Sequence, residues 1–333
     1  MKALTDNYGR VHDYLRISLT DRCNLNCIYC SPFPKKIYYF EKEEILTFEE
    51  IKRLIKIFAE YFDLKKVRFT GGEPFARKDF VPFVIGLREF KIKYSFKTAI
   101  TTNGVLLTDK ITDIFESRID HFNISLDSLN PDVFTKITGK NELPKVLTAI
   151  SKVQELSPNL VKINCVMMRG INDNEIIPFT DFAAENNANV RFIEYMPFTN
   201  NGWNEGSFIS SSQIRKIIDT KYTLEEIRGK DSVSKDFLIK GNDGIISFIS
   251  SISDQFCNSC SRLRITAKGN LRLCLFSEEK HELDLRIFLR DSSQNDFEIA
   301  GKIREFVKTK PEKHPPANEL VKLDYNYMLK NGG

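Results

Sequence analysis

The chain has 333 residues, of which 41% are hydrophobic and 28% charged, as in an ordinary globular protein. Its net charge of +4 excludes, by composition, a strongly basic nucleic-acid-binding protein. No apolar run reaches the roughly 18 residues of a membrane span, and the first residues lack the apolar core of a signal peptide. We therefore expect a cytoplasmic protein with no membrane association, in which thiols stay reduced.

Strands and helices alternate over the first 200 residues. The apolar patterns predict strands at 12–19, 65–70, 95–102, 119–126, 160–168 and 189–196. They predict helices at 48–62, 79–90, 108–117, 143–156 and 175–187, and a further helix that starts at Asn130-Pro131. Repeated βα units imply a parallel sheet with right-handed crossovers, and about six units are fewer than the eight of a closed barrel.

We therefore predict an α/β fold, a partial and incomplete βα TIM-type barrel, with a doubly wound sheet as the alternative. In both folds the functional loops follow the carboxyl ends of the strands.

The pattern changes near residue 205. A helix is predicted at 211–219, irregular β structure over 221–255, a hairpin that turns at 268–270, and a helix at 294–307. We predict two domains, a barrel at 1–205 and a C-terminal α+β domain at 206–333. The charged, proline-rich segment 308–316 is predicted to be a solvated connector.

Six of the seven cysteines form two groups of three, and Cys165 is predicted to lie in the core. The first triplet, Cys23, Cys27 and Cys30, directly follows the first strand. Three thiolates leave one corner of a four-cornered metal site open. An iron–sulfur cluster with one free iron is one interpretation, and a structural zinc site that borrows a distant histidine is the other.

The second triplet consists of Cys257, Cys260 and Cys274. Alone, this spacing favours zinc, whereas beside an iron–sulfur cluster it favours a second cluster with one free iron. Between the triplets, Gly71-Gly72-Glu73-Pro74 ends the second strand. Its glycines allow close approach of a ligand and Glu73 can accept hydrogen bonds from an ammonium group, although an ordinary turn is the alternative.

A CxxxCxxC loop after the first strand with GGEP after the second resembles the radical S-adenosylmethionine superfamily. Further motifs resemble the GTP 3′,8-cyclase family, which begins molybdenum cofactor biosynthesis: Asp21–Asn24, Arg68–Pro74, Thr101–Gly104, Asn123–Asp127, Arg191–Glu194, Arg262–Arg264 and the final Gly332-Gly333. The resemblance extends from about residue 9 to the last residue.

The resemblance implies two 4Fe–4S clusters, one on Cys23, Cys27 and Cys30, the other on the second triplet. The free iron of the first would take the amino and carboxylate groups of S-adenosylmethionine, and that of the second would contact guanine. Residues that would line S-adenosylmethionine are Tyr29, Gly72, Ser125 and Met196. The two terminal glycines would reach toward the active site.

GTP would then lie between the clusters, where Arg is suited to bidentate contact with phosphate. The candidate GTP-binding residues are Arg16, Lys66, Arg68, Thr101, Lys162, Arg191, Arg262 and Arg264. Among them we predict Arg16, Arg262 and Arg264 to be catalytic. A solvated charge at a strand end is the alternative for each cation.

The implied activity is that of a lyase that converts GTP to (8S)-3′,8-cyclo-7,8-dihydro-GTP through a 5′-deoxyadenosyl radical. It would need an external one-electron donor and pass its product to cyclic pyranopterin monophosphate synthase, with no nucleic-acid partner; a homodimer is left open. The alternatives are a peptide-maturing radical enzyme with an auxiliary cluster domain and a non-catalytic protein that binds zinc or nucleic acid.

Overall fold

The computed structural model describes residues 3–30, 38–157, 160–227, 233–323 and 328–331, so the predicted Gly332-Gly333 tail lies outside the described residues. The strands are β1 Tyr14–Ser18, β2 Lys66–Thr70, β3 Lys97–Thr102, β4 His121–Ser125, β5 Val161–Met167, β6 Asn189–Glu194, β7 Leu224–Ile227, β8 Lys235–Ile239, β9 Ile245–Ile249, β10 Arg262–Ile265, β11 Asn270–Arg272 and β12 Leu283–Asp284.

The α-helices are α1 Phe48–Tyr61, α2 Phe80–Gly86, α3 Arg88–Tyr94, α4 Ile111–Glu116, α5 Pro131–Thr138, α6 Leu143–Leu156, α7 Ile176–Glu185, α8 Ser211–Ile218, α9 Leu285–Arg290, α10 Asp296–Lys308, α11 Ala317–Leu320 and α12 Met328–Asn331. None of the helices within the described ranges is long and apolar enough to cross a membrane.

The described strands form one sheet in the order β12-β11-β10-β1-β2-β3-β4-β5-β6-β9-β8-β7. All strands from β10 to β9 in this order run parallel to their neighbours, with a βα unit following each of β1 to β5. The predicted incomplete barrel is confirmed, and β10 and β9 each add one parallel strand to the six that were predicted.

The strand β1 shows why this sequence buries one face and leaves the other for a site. Leu15 and Ile17 are fully buried among the apolar side chains of the core, as their period of two requires. Arg16, between them, points to the opposite face and lines the central cavity. The same division of the two faces recurs in β2, where Val67 and Phe69 are buried in the core.

The surrounding helices begin and pack as their sequences indicate. Thr47 and Glu50 form a capping box at the start of α1, which satisfies backbone N–H groups at the helix end. At the far end of the chain, α10 packs against α1, and Arg53 donates to Asp296 over 2.8 Å. Helix α10 is thereby fixed to the first helix of the barrel.

Two local predictions differ from the structure. The predicted helix 79–90 is divided into α2 and α3 at Leu87, whose side chain is buried. The predicted irregular β structure at 221–255 contains three regular strands, because β9 pairs with β6 and the antiparallel hairpin β7–β8 extends that edge. The sheet therefore continues across residue 205, where a domain boundary stays a prediction.

Candidate active site

Both cysteine triplets line one cavity that the sheet surrounds. The first triplet follows β1, at the edge where the carboxyl ends of the parallel strands meet. Cys257 and Cys260 precede β10, which runs parallel to β1, so they lie at the opposite edge. The cavity therefore extends from one end of the barrel to the other. This placement differs from our expectation that functional loops gather at the carboxyl ends alone.

The thiols of the first triplet are enclosed by protein. Burial raises the pKa of Cys23 to about 11 and raises the pKa values of Cys27 and Cys30 further above their usual range. The side-chain amide of Asn103 donates to Cys23 Sγ over 3.6 Å. Such thiols become stable thiolates when a bound metal supplies positive charge. The first triplet is therefore chemically suited to a metal centre and poorly suited to remain free.

The two glycines of the GGEP motif let it dock against the first cysteine loop. Gly72 N–H donates to the Thr20 carbonyl over 2.6 Å. A Cβ atom at Gly72 would lie 2.2 Å from the Arg22 carbonyl oxygen, and Gly71 has a φ of +152°. Both glycines also line the cavity. The motif is thus more than an ordinary turn, and close backbone packing is one reason for its glycines.

Glu73 of the same motif has a different place from the one we expected. Its carboxylate is fully buried and accepts from Thr102 Oγ1 over 2.7 Å and from Asn103 N–H over 2.8 Å. Burial raises its pKa to about 7. It is not among the cavity-lining residues. Glu73 therefore holds the end of β3, and its side chain is not placed to accept from a ligand's ammonium group.

The predicted S-adenosylmethionine-binding residues Tyr29, Gly72, Ser125 and Met196 all line the cavity. Two polar residues that the sequence analysis missed hold them. The Tyr29 hydroxyl donates to Asp127 over 2.7 Å, and Asn201 Nδ2 donates to the Met196 carbonyl over 2.8 Å. Asp127 ends the Asn123–Asp127 motif, so the sequence offered a reason to select it. No sequence motif marks Asn201.

Cations from three neighbouring strands meet in the middle of the cavity. Arg16 is the register partner of both Arg68 and Arg264. One step toward the amino ends of the strands, Tyr14 is the register partner of both Lys66 and Arg262. All six side chains line the cavity, and we call the five cations among them the cation row: Arg16, Lys66, Arg68, Arg262 and Arg264.

Tyr14 and Thr101 hold Arg68 from two sides. Arg68 Nε donates to the Tyr14 hydroxyl, and Arg68 NH1 donates to Thr101 Oγ1 over 3.1 Å. The sequence analysis did not select Tyr14, although its spacing of two residues from Arg16 places both side chains on one strand face. These bonds fix the guanidinium plane before any ligand arrives.

The cation row is strongly electropositive. Burial and the neighbouring Arg264 lower the pKa of Arg16 well below its usual range, and burial together with Arg262 lowers that of Arg264 to about 10. Burial alone would raise the pKa of Tyr14, but Arg68 and Arg16 lower it to about 7. Cations concentrated in one place suit a ligand that carries several negative charges.

Two further cations that were predicted to bind GTP differ from each other in their position relative to the cavity. Arg191 on β6 is 5% exposed and lines the cavity, as predicted. Lys162 on β5 is not among the cavity-lining residues. Its charge, with that of Lys66, lies near His121 and helps burial to lower the pKa of that imidazole to about 4. Both residues stay predictions as ligands of GTP.

Comparison of the chain with known proteins identifies its family. Residues 17–183 match the model of the Radical SAM superfamily, and residues 188–316 match that of Molybdenum Cofactor Synthesis C. The chain is 38% identical to GTP 3′,8-cyclase of Listeria monocytogenes, across 96% of this chain and 94% of that protein. The chain belongs to the GTP 3′,8-cyclase family of radical S-adenosylmethionine enzymes. The family predicted from the motifs is thereby confirmed.

Other relatives of this radical S-adenosylmethionine family member are longer. Molybdenum cofactor biosynthesis protein 1 of Dictyostelium discoideum is 42% identical across 98% of this chain, but the chain spans only 51% of that protein. Among solved structures, Streptococcus suis SuiB bound to S-adenosylmethionine has a TM-score of 0.61 at 15% identity, across 94% of this chain and 78% of that chain. This last likeness shows a shared fold.

The cysteines fit the iron–sulfur clusters of a radical S-adenosylmethionine enzyme better than they fit zinc. Among the described residues, no three His, Cys, Asp or Glu side chains converge closely enough to hold a single metal ion. One zinc ion needs its ligands about 2.0–2.3 Å away. A four-iron cluster spreads its ligands over several irons. The prediction of 4Fe–4S clusters with S-adenosylmethionine is confirmed by the family.

The segment predicted to be a solvated connector is exposed along most of its length, but two of its side chains turn inward at the second end of the site. Lys310 is 4% exposed and His314 is 9% exposed. His314 lines the cavity and packs on Phe276, with ring centroids 4.6 Å apart. Composition suggested exposure, but a distant arginine, Arg10, binds the segment's backbone and draws it inward.

Proposed function

We propose that this chain converts GTP to (8S)-3′,8-cyclo-7,8-dihydro-GTP, the first step of molybdenum cofactor biosynthesis. One observation carries the proposal: the cation row lies between two incomplete cysteine triplets in a single cavity. A triphosphate needs such cations, and each triplet leaves a coordination position for a small molecule. The arrangement therefore suits two ligands, held at opposite ends of one cavity.

The chain's own residues have separate tasks in this proposal. Gly72, Tyr29, Ser125 and the backbone of Met196 hold S-adenosylmethionine at the first triplet. When bound and reduced, the first cluster supplies the electron that releases a 5′-deoxyadenosyl radical from that cofactor. Enclosure by the barrel keeps water and other reductants away from the reacting atoms.

The cation row orients GTP. Arg16, Arg68 and Arg264 lie on one register across three strands, so their guanidinium groups can contact neighbouring phosphate oxygens. Arg262 sits beside Cys260 and Tyr14, close to the second triplet that receives the guanine end. Thr101, Lys66, Lys162 and Arg191 complete the proposed GTP-binding set.

The proposal also includes partners. An external one-electron donor would reduce the first cluster. The product would pass to cyclic pyranopterin monophosphate synthase, and the enzyme could act as a homodimer.

An anaerobic assay tests the activity. Cluster-loaded protein is incubated with GTP, S-adenosylmethionine and a chemical reductant, and 5′-deoxyadenosine and the cyclised nucleotide are measured by mass spectrometry. We expect both products in similar amounts, with little 5′-deoxyadenosine when GTP is omitted. Equal 5′-deoxyadenosine with and without GTP, and none of the cyclised nucleotide, would refute the proposal and favour another substrate, such as a peptide.

A further inference from the structure

A buried lysine lies against the second triplet. Lys310 Nζ donates to the Arg262 carbonyl over 2.9 Å and lies 3.9 Å from Cys260 Sγ, within reach of a weak N–H···S hydrogen bond. Lys310 is not among the cavity-lining residues, in contrast to the cation row. Its ammonium group therefore acts on the sulfur ligands and does not touch GTP.

Arg10 holds this lysine in place. Arg10 NH1 donates to the Cys257 carbonyl over 3.0 Å and to the Glu312 carbonyl over 2.6 Å, and Arg10 NH2 donates to the Pro311 carbonyl over 2.6 Å. Asp6 in turn accepts from Arg10 Nε over 2.6 Å. The backbone next to Lys310 and the backbone of the second cysteine loop are thus tied to one guanidinium group, which fixes the distance from Nζ to sulfur.

Charged groups of both signs act on the Lys310 side chain. The thiolates of Cys260 and Cys274 attract it and Asp6 adds a more distant negative charge, whereas Arg10 repels it. Burying a lysine this deeply is costly unless a negative group compensates. Once the three cysteines of the second triplet hold a cluster, their thiolates supply that negative charge.

The first triplet has no equivalent. Its charged neighbours are acidic, since Asp127 acts on Cys27 and Cys30, and Glu73 acts on Cys23. Its hydrogen-bond donor from a side chain is the neutral amide of Asn103. Among the described residues, a buried ammonium group is therefore a feature of the second site and not a general device of both.

We propose that Lys310 is the charge-compensating residue of the second triplet, which stabilises the thiolate-bound cluster there and makes its reduction easier. A fixed positive charge beside the sulfurs favours the more negative, reduced form, and hydrogen bonds to the sulfurs act in the same direction. This inference rests on the proposed cluster at Cys257, Cys260 and Cys274. It is a positioning and tuning role, because Lys310 acts through the ligands.

The test is a redox titration of the full chain without GTP or S-adenosylmethionine, followed by electron paramagnetic resonance. The variants are Lys310→Met, Lys310→Gln and Lys310→Arg, with Lys313→Met as the control because Lys313 is exposed in the same segment. We expect the neutral variants to shift the second cluster to a more negative midpoint potential. Lys310→Arg and the control should stay near the wild-type value, and the first cluster should not shift.

Selective loss of the second cluster from both neutral variants, with retention by Lys310→Arg, would also support the proposal. An unchanged potential in loaded neutral variants would overturn it. Equal loss of the cluster from all three Lys310 variants would overturn it too, because packing and not charge would then matter. Absence of a second cluster in the wild-type protein would instead contradict the proposed function, so the two failures are distinct.

Discussion

Arg16 lies directly opposite Arg264 on the neighbouring parallel strand, and both side chains line the central cavity. Burial lowers the pKa of Arg16, and the charge of Arg264 lowers it further. Adjacent like charges in a buried site oppose folding and favour an anionic ligand. The arrangement of the pair therefore favours the binding of an anionic ligand.

The first prediction concerns this pair. Arg264→Gln should weaken GTP binding by about 10- to 100-fold, the loss of about 1.5–3 kcal/mol from one charge-assisted hydrogen bond. In the absence of GTP, the same change should leave the melting temperature unchanged or raise it, because repulsion from Arg16 is removed. Anaerobic calorimetry of cluster-loaded protein measures both. Arg88→Gln, on the exposed side of α3, is the control and should change neither.

The second prediction is a pH dependence at Tyr14. Because its pKa falls to about 7 in the folded protein, against 10 when unfolded, the unfolded state holds more protons between these values. The stability that Tyr14 contributes should therefore rise from pH 7 to pH 10 and be lost as the pH falls through about 7.

Denaturant unfolding of wild type and Tyr14→Phe at several pH values measures this contribution as a difference. Tyrosinate absorbance should titrate near neutral pH in wild type and be missing from the variant. GTP should move this titration upward, because phosphate neutralises the cations around the hydroxyl. A gap between the two proteins that does not change with pH would contradict the assignment.

The third prediction separates structural from ligating cysteines. Two 4Fe–4S clusters hold eight irons, so Cys23→Ser and Cys274→Ser should each reduce the iron content to about half. Cys165→Ser should retain the full iron content, because Cys165 is fully buried in the apolar core and lies outside the cavity lining. Iron and zinc analysis after anaerobic reconstitution checks this; two zinc ions per chain would contradict it.

The fourth prediction compares two glycines. In Gly72→Ala the new Cβ would meet the Arg22 carbonyl at 2.2 Å, so the first cysteine loop must move and S-adenosylmethionine binding should be lost. Gly301→Ala, in α10, meets nothing within 4 Å and should stabilise the protein by about 0.5–1 kcal/mol. Melting curves and cofactor binding distinguish the two. Normal cofactor binding by Gly72→Ala would show that the loop tolerates the displacement.

Local chemistry made much of this fold predictable. The period of two at Leu15 and Ile17 and the capping box at Thr47 depend on neighbours a few residues away, and the structure has both. The six predicted GTP-binding residues on β1, β2, β3 and β10 line the cavity because strand alternation decides which face a side chain takes.

The features that the sequence could not predict depend on contacts between residues that are far apart in the chain. Tyr14 becomes important through Arg68, which donates to its hydroxyl because β2 pairs with β1. Lys310 is buried because Arg10, 301 residues before Pro311, binds the adjacent backbone. Charge and proline content indicate a solvated segment at 308–316, but they carry no information on what covers Lys310 and His314.

The hydrogen bonds from Arg10 to residues 311 and 312 also bear on the order in which the two cysteine loops form. The first cysteine loop is anchored by Thr20, Gly72 and the carbonyl of Thr138, all supplied by the first 140 residues. The second loop needs the beginning of the chain and its last thirty residues together. During synthesis the first metal site can therefore assemble well before the second, which forms only when the chain closes on itself.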